Sequence, residues 1–221
     1  MAALKSQQRR WATGSIQVAR KLLPRIWRAP LSLGEKLEAT LHLTHYSVAV
    51  WMLLLALIAR PMVLVYNDGR LGTSWAWIIW GLIVLAAIAP SLVYAYARRR
   101  LGGGWSGLRT IPSMLVLGCG MCVNNTLAVI RGLYLRGGEF VRTPKSGSVA
   151  RQVRRSIYTV THDRMWIVEI LLGLYAAFSF VLYFNRFSRF FSFFLALYAL
   201  GFLLIGWMSM PRRLYGKVAP E

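Results

Sequence analysis

The chain has 221 residues, 57% of them hydrophobic, and carries 27 Lys and Arg against 7 Asp and Glu, a formal net charge of +20. A soluble domain of this length has no use for so much apolar material, and a nucleic-acid-binding protein would spread its charge over a polar surface. Here charge and apolar residues occupy separate stretches, which is the pattern of an all-α integral membrane protein.

Residues 1–14 are polar and basic, with no apolar run and no small-residue cleavage site, so they are not a secretory signal. They read like the interior of a domain, and the expectation is that the biological start lies upstream of Met1. Residues 12–44 follow as amphipathic helices lying on the membrane. Ile16, Ala19, Leu23 and Ile26 recur at helical spacing, Leu22 and Trp27 widen that face, and Arg20, Lys21, Arg25 and Arg28 are placed to reach headgroups. Pro24 should bend this element and Pro30 end it. Ser32-Leu33-Gly34-Glu35 then fits a capping box for a second short helix, with Leu37 and Leu41 on its buried side.

Four stretches are long enough to cross about 30 Å of hydrocarbon as helices of roughly 20 residues: 45–66, 74–97, 165–184 and 190–208. Aromatic residues stand near their ends: Trp51 and Tyr66, Trp75 and Tyr96, Trp166 and Tyr183, Phe190 and Trp207. Arg60 can snorkel to the headgroups, Pro61 should kink the last turn of the first span, and Pro90 does the same in the second. A further apolar run, 111–123, is 13 residues long and meets Asn124-Asn125, two amides that would need partners in hydrocarbon.

Charge decides how that run is placed. Residues 1–44 hold 8 Lys/Arg, 98–110 hold 4, 131–165 hold 8, and the tail after Met208 holds 3. If 111–123 crossed, the 8 charges of 131–165 would face outward, against the positive-inside rule. If it dips in or lies in the interface, 23 of the 27 positive charges face the cytosol. The expected topology therefore has four spans in the inner or plasma membrane and both termini cytosolic, with 111–135 in-plane or re-entrant; the alternative is five spans, with this segment crossing. Cys119 and Cys122 form a lone C-x-x-C inside an apolar segment; a zinc site needs two further ligands, so small interior residues are the better reading and no metal site is expected.

The residues that carry chemistry come first in the chain. Gln7, Arg10 and Trp11 form Q-x-x-R-W, followed by Ala-Thr-Gly. Here the sequence resembles the processive family-2 glycosyltransferases, the group that holds bacterial cellulose synthase, hyaluronan synthase and the cellulose-synthase-like mannan synthases. In that family the motif closes the cytosolic catalytic domain, just before interface helices and the second block of spans. Phe140-Val141-Arg142-Thr143-Pro144-Lys145 resembles the family's F-x-V-T-x-K gating loop, departing at Arg142 where the pattern has Val. The resemblance covers essentially all of this chain but only the C-terminal part of the family's catalytic unit.

By that resemblance, Gln7, Arg10 and Trp11 bind acceptor and donor, while Phe140, Thr143 and Lys145 belong to a gating loop that reaches the donor nucleotide. The residue types suit those roles. Arg10 offers a permanently charged planar fork for diphosphate oxygens, Gln7 a neutral amide, and Trp11 a flat apolar face against which a sugar can stack. Implied partners are a nucleotide-sugar donor, a growing glycan, the lipid bilayer, and the missing N-terminal catalytic region or its separate polypeptide.

The acidic inventory is Glu35, Glu38, Asp68, Glu139, Asp163, Glu169 and Glu221, with no D-x-D and no acidic pair beside Gln7 or Trp11. In the family, a D-x-D holds a divalent metal (Mg or Mn), and the Asp of a T-E-D-type motif is the base. No catalytic base is therefore assigned in this chain, and the isolated chain is expected to be inactive. The organisation expected is 1–44 end of the catalytic domain and interface helices, 45–97 first span pair, 98–139 linker and interface or re-entrant segment, 140–164 gating-like loop, 165–208 second span pair and 209–221 tail. Two alternatives stay open: a non-enzymatic membrane scaffold or channel subunit, and a small transporter whose pathway would use Glu169. Trp51, Trp77 and Trp80 are candidates to line a glycan channel, though membrane-belt anchoring explains them equally well.

Overall fold

The computed structural model describes residues 1–67, 78, 81, 91–103, 105–135, 137, 164–186 and 189–211, with the backbone alone for 62–67, 105–107, 185, 186 and 189–191. It is an all-α membrane protein, helical nearly throughout with no strand among the described residues. In chain order the helices are α1 (Ala2–Arg28), α2 (Leu33–Thr44), α3 (Val48–Asn67), α4 (Ile111–Tyr134), α5 (Met165–Arg186) and α6 (Arg189–Ser209). A 3-10 turn, His45–Ser47, joins α2 to α3, and another, Trp105–Thr110, leads into α4. Residues 91–100 are also helical. The expected gating loop with Phe140, Thr143 and Lys145, most of the 74–97 span including Trp77, Trp80 and Pro90, and the tail from 212 lie outside the described residues.

Four helices are long and apolar enough to cross a membrane: Leu33–Pro61, Leu108–Tyr134, Met165–Phe184 and Ser192–Ser209. Three coincide with the expected spans at 45–66, 165–184 and 190–208. The other does not. The segment expected to lie in-plane or dip in at 111–135 is one continuous helix of 24 residues, about 36 Å long at 1.5 Å per residue. Its apolar first half packs into the bundle, where Cys119, Cys122 and Val123 join Leu197, Tyr198 and Phe202 of α6 and Ala49 and Ala56 of α3 in one buried cluster. Asn124-Asn125 does not end the helix; Asn124 bonds the first turns of α1 and donates to Asn125.

Glycine lets backbones touch at these crossings. A Cβ on Gly201 would lie 2.5 Å from the Val116 carbonyl oxygen and 2.6 Å from the Gly120 nitrogen, so α4 and α6 meet main chain to main chain. The α5–α6 hairpin is antiparallel, with Gly173 against Leu203 and Gly206 against Ile170. Both cysteines are free and buried in α4.

Pro61 sits inside α3 rather than ending it. Proline has no N–H, so the carbonyl four residues earlier loses its helical donor. That carbonyl belongs to Leu57, and the Tyr175 hydroxyl of α5 donates to it at 2.6 Å. Tyr183 donates likewise to the Ala59 carbonyl. The carbonyl orphaned at the expected kink is thus answered by a tyrosine of the neighbouring helix, as apolar surroundings demand. Arg60 places its guanidinium 5.0 Å from the Phe178 ring centroid, a cation–π contact from an otherwise exposed position.

At the other end, α1 continues through Pro24 and stops at Arg28, with Ala29 extended, as the residue before Pro30 should be. The Ser32–Glu35 capping box forms as expected. Leu37 and Leu41 are not buried: Leu41 is 71% exposed, and α2 buries no residue. With Leu33 and Val48 they form an apolar row at helical spacing that faces away from the protein, which suits lipid rather than core.

Candidate functional site: the two faces of α1

Helix α1 has two faces with different tasks. Lys5, Ala12, Ile16 and Ala19 are its buried residues and repeat at intervals of three, four and seven, which places them on one side of a 3.6-residue helix. That side runs along the second half of α4. Gly132 makes the approach possible, since a Cβ there would lie 2.8 Å from Ile16 Cβ and 2.9 Å from the Thr13 carbonyl oxygen. Thr13 Oγ1 donates to the Ala128 carbonyl at 3.1 Å, Arg20 to the Gly132 carbonyl at 3.2 Å, and Gln17 to the carbonyls of Leu135 and Gly137. Ile16 and Ala19 therefore bury against protein, where the amphipathic pattern suggested membrane.

The start of α1 is fastened by charge. Lys5 Nζ lies 2.6 and 2.7 Å from the two carboxylate oxygens of Glu169, and neither residue is reached by solvent, at 4% and 0% exposure. Asn124 donates to the Lys5 carbonyl at 3.2 Å, and its own oxygen accepts from Arg9 Nε at 2.6 Å. Asn125 Oδ1 accepts a further bond from Asn124. Burial of an ion pair is a weak gain in itself, but removing one partner leaves an uncompensated charge at a cost of about 3–5 kcal/mol. The amides were expected to need partners, and α1 supplies those of Asn124 as well as the partner of Glu169. Lys5 and Arg9 were not singled out in the sequence, because nothing local to residues 5–9 signals a partner 164 residues away.

Gln7, Arg10 and Trp11 occupy the opposite side. They are separated by three and four residues and so neighbour one another on the helix surface. Trp11 is 53% exposed, while Gln7 and Arg10 are half-buried. The two variable positions of Q-x-x-R-W point the other way: Arg9 goes to Asn124, and Gln8 accepts from the Tyr46 hydroxyl at 3.5 Å. The motif thus presents an amide, a guanidinium and an indole together, on a helix held from behind. Whether Phe140, Thr143 and Lys145 join them falls outside the described residues. Trp51, a candidate channel aromatic, is 66% exposed on α3, while Trp77 and Trp80 lie outside the described residues.

Among the described residues no three His, Cys, Asp or Glu side chains gather in a way that could hold a metal ion. No known protein family, curated protein or solved structure matches the chain. The fold and composition define a multi-pass helical membrane protein.

Proposed function

We propose that the chain is the membrane-embedded, C-terminal part of a glycosyltransferase that builds a β-linked polysaccharide from a nucleotide sugar. In this reading α1 lies on the cytosolic side of the cell membrane and supplies the acceptor platform. The observation that carries the reading is the division of labour on α1. Gln7, Arg10 and Trp11 lie on the side of α1 opposite Lys5, with Trp11 exposed and Gln7 and Arg10 half-buried, while the intervening positions and Lys5 tie the helix to the bundle. Trp11 offers the stacking face for the terminal sugar, Arg10 a cation for the leaving diphosphate, and Gln7 a hydrogen-bonding amide. The metal-holding carboxylates and the base come from a catalytic region outside this sequence, since no D-x-D occurs in it.

The test is sugar binding without catalysis. The chain in lipid nanodiscs should show saturation transfer to short β-linked gluco- or manno-oligosaccharides, lost in Trp11→Ala and kept in Trp27→Ala, and should incorporate no labelled sugar from UDP- or GDP-hexose by itself. Equal transfer in wild type and Trp11→Ala, or polymer made by the purified chain alone, refutes the assignment.

A further inference from the structure

Glu169 places a carboxylate inside the span formed by α5. Intramembrane carboxylates are costly and usually mark function. This one is fully buried and its ion-pair partner, Lys5, comes from the first turn of α1. Asn124, also 1% exposed, grips the same turn twice, through the Lys5 carbonyl and the Arg9 guanidinium. These contacts fall within one or two turns of Gln7, Arg10 and Trp11 and on the other side of the same helix. Beyond them α1 is held by side-chain bonds to carbonyls of α4 and the residues just after it, by packing on Gly132, and by bonds of Ser15 and Trp27 to α2.

We infer that Glu169 and Asn124 are positioning residues: a polar socket in the membrane bundle that docks the first turns of α1 and so fixes where the Gln7–Arg10–Trp11 face stands. The inference deepens the proposed function in its last clause only; docking itself needs no sugar chemistry. A buried pair suits this task because its strength is conditional. With both charges present α1 is clamped, and with one missing the remaining charge is driven toward water, taking the helix with it. An apolar contact of the same area would hold α1 without selecting one register, since a one-turn slip would cost it little, whereas Lys5 meets Glu169 in one register alone.

Hydrogen exchange read by mass spectrometry on the full chain in nanodiscs tests this. In Lys5→Ala and Glu169→Gln, amides of residues 2–16 should exchange at least about a hundredfold faster, the least that a lost buried partner implies. The α5–α6 hairpin should keep wild-type protection. The swapped pair Lys5→Glu with Glu169→Lys should restore protection of residues 2–16 to within about threefold. A purely structural role predicts that α1 and the hairpin loosen together, and that result overturns the inference. So does unchanged α1 protection in the single variants, or failure of the swap. If a single variant does not fold, Asn124→Ala carries the same expectation at a smaller scale and decides in its place. None of these readouts involves a sugar, so failure here and failure of the glycosyltransferase reading are separate results.

Discussion

Replacing Gly201 with Ala adds one methyl group at the crossing of α4 and α6. The new Cβ would sit 2.5 Å from the Val116 carbonyl oxygen, 2.6 Å from the Gly120 nitrogen and 3.1 Å from Cys119 Cβ. Comfortable contact needs about 3.5 Å, so the helices must part by about 1 Å or twist. Two of the three obstacles are backbone atoms, which cannot rotate away as a side chain would. Overpacking costs about 1–3 kcal/mol, and this geometry belongs near the upper end. Alanine returns up to about 1 kcal/mol through its better helix propensity. The net expectation is a loss of about 2 kcal/mol, close to a 30-fold shift in the folding equilibrium. Gly118 is the internal control: it lies on the same helix as Gly120, and a Cβ there meets nothing within 4 Å. Gly118→Ala should therefore be neutral or stabilising by up to about 1 kcal/mol. Unfolding in mixed micelles, followed by far-UV circular dichroism over a denaturant series, measures both. If Gly201→Ala is as stable as wild type, or if both substitutions destabilise alike, close backbone contact between α4 and α6 is refuted.

Three further outcomes follow from the same contacts. Asn124→Leu should cost about 1–3 kcal/mol in the same unfolding assay despite its apolar gain, because Arg9 and the Lys5 carbonyl lose a partner. Tyr175→Phe should cost about 1 kcal/mol by leaving the Leu57 carbonyl without its hydroxyl donor, and no such loss is expected in a variant that also carries Pro61→Ala, which restores the N–H. Ser32→Ala should cost about 1 kcal/mol of stability and reduce protection of the first turn of α2 in hydrogen exchange, since both halves of the capping box depend on Ser32.

What could be read in the sequence was what short range decides. The Ser32–Glu35 cap was legible because both partners lie within one turn. The spans at 45–66, 165–184 and 190–208 were legible because length and apolarity suffice. The need for partners at Asn124, Asn125 and Glu169 was also visible, since a polar group in apolar surroundings must be answered. Which partner answered was not visible. Lys5 and Arg9 look like any other members of a basic segment until α1 is laid along α4. The reading of 111–135 as in-plane or re-entrant rested on the charges of 131–165 and on the short apolar run ending at Val123; the helix continues to Tyr134, its second half packed on α1. Amphipathic spacing in α1 identified a buried face but not what covered it, and Gly132 shows that it was protein. For the candidate site, the motif already grouped Gln7, Arg10 and Trp11, and the structure adds that they lie on the side of α1 opposite Lys5, with Trp11 exposed.

The central claim, that α1 serves polysaccharide synthesis, is tested most directly in native membranes lacking the chromosomal copy of this gene. Wild-type chain or a variant is supplied from a plasmid, and labelled UDP- or GDP-hexose incorporation into polymer is measured. The account predicts incorporation with wild type and with Trp27→Ala, and near-background incorporation with Arg10→Ala or Trp11→Ala at equal amounts of folded protein. Undiminished polymer with Trp11→Ala, or no dependence on the chain at all, would contradict it.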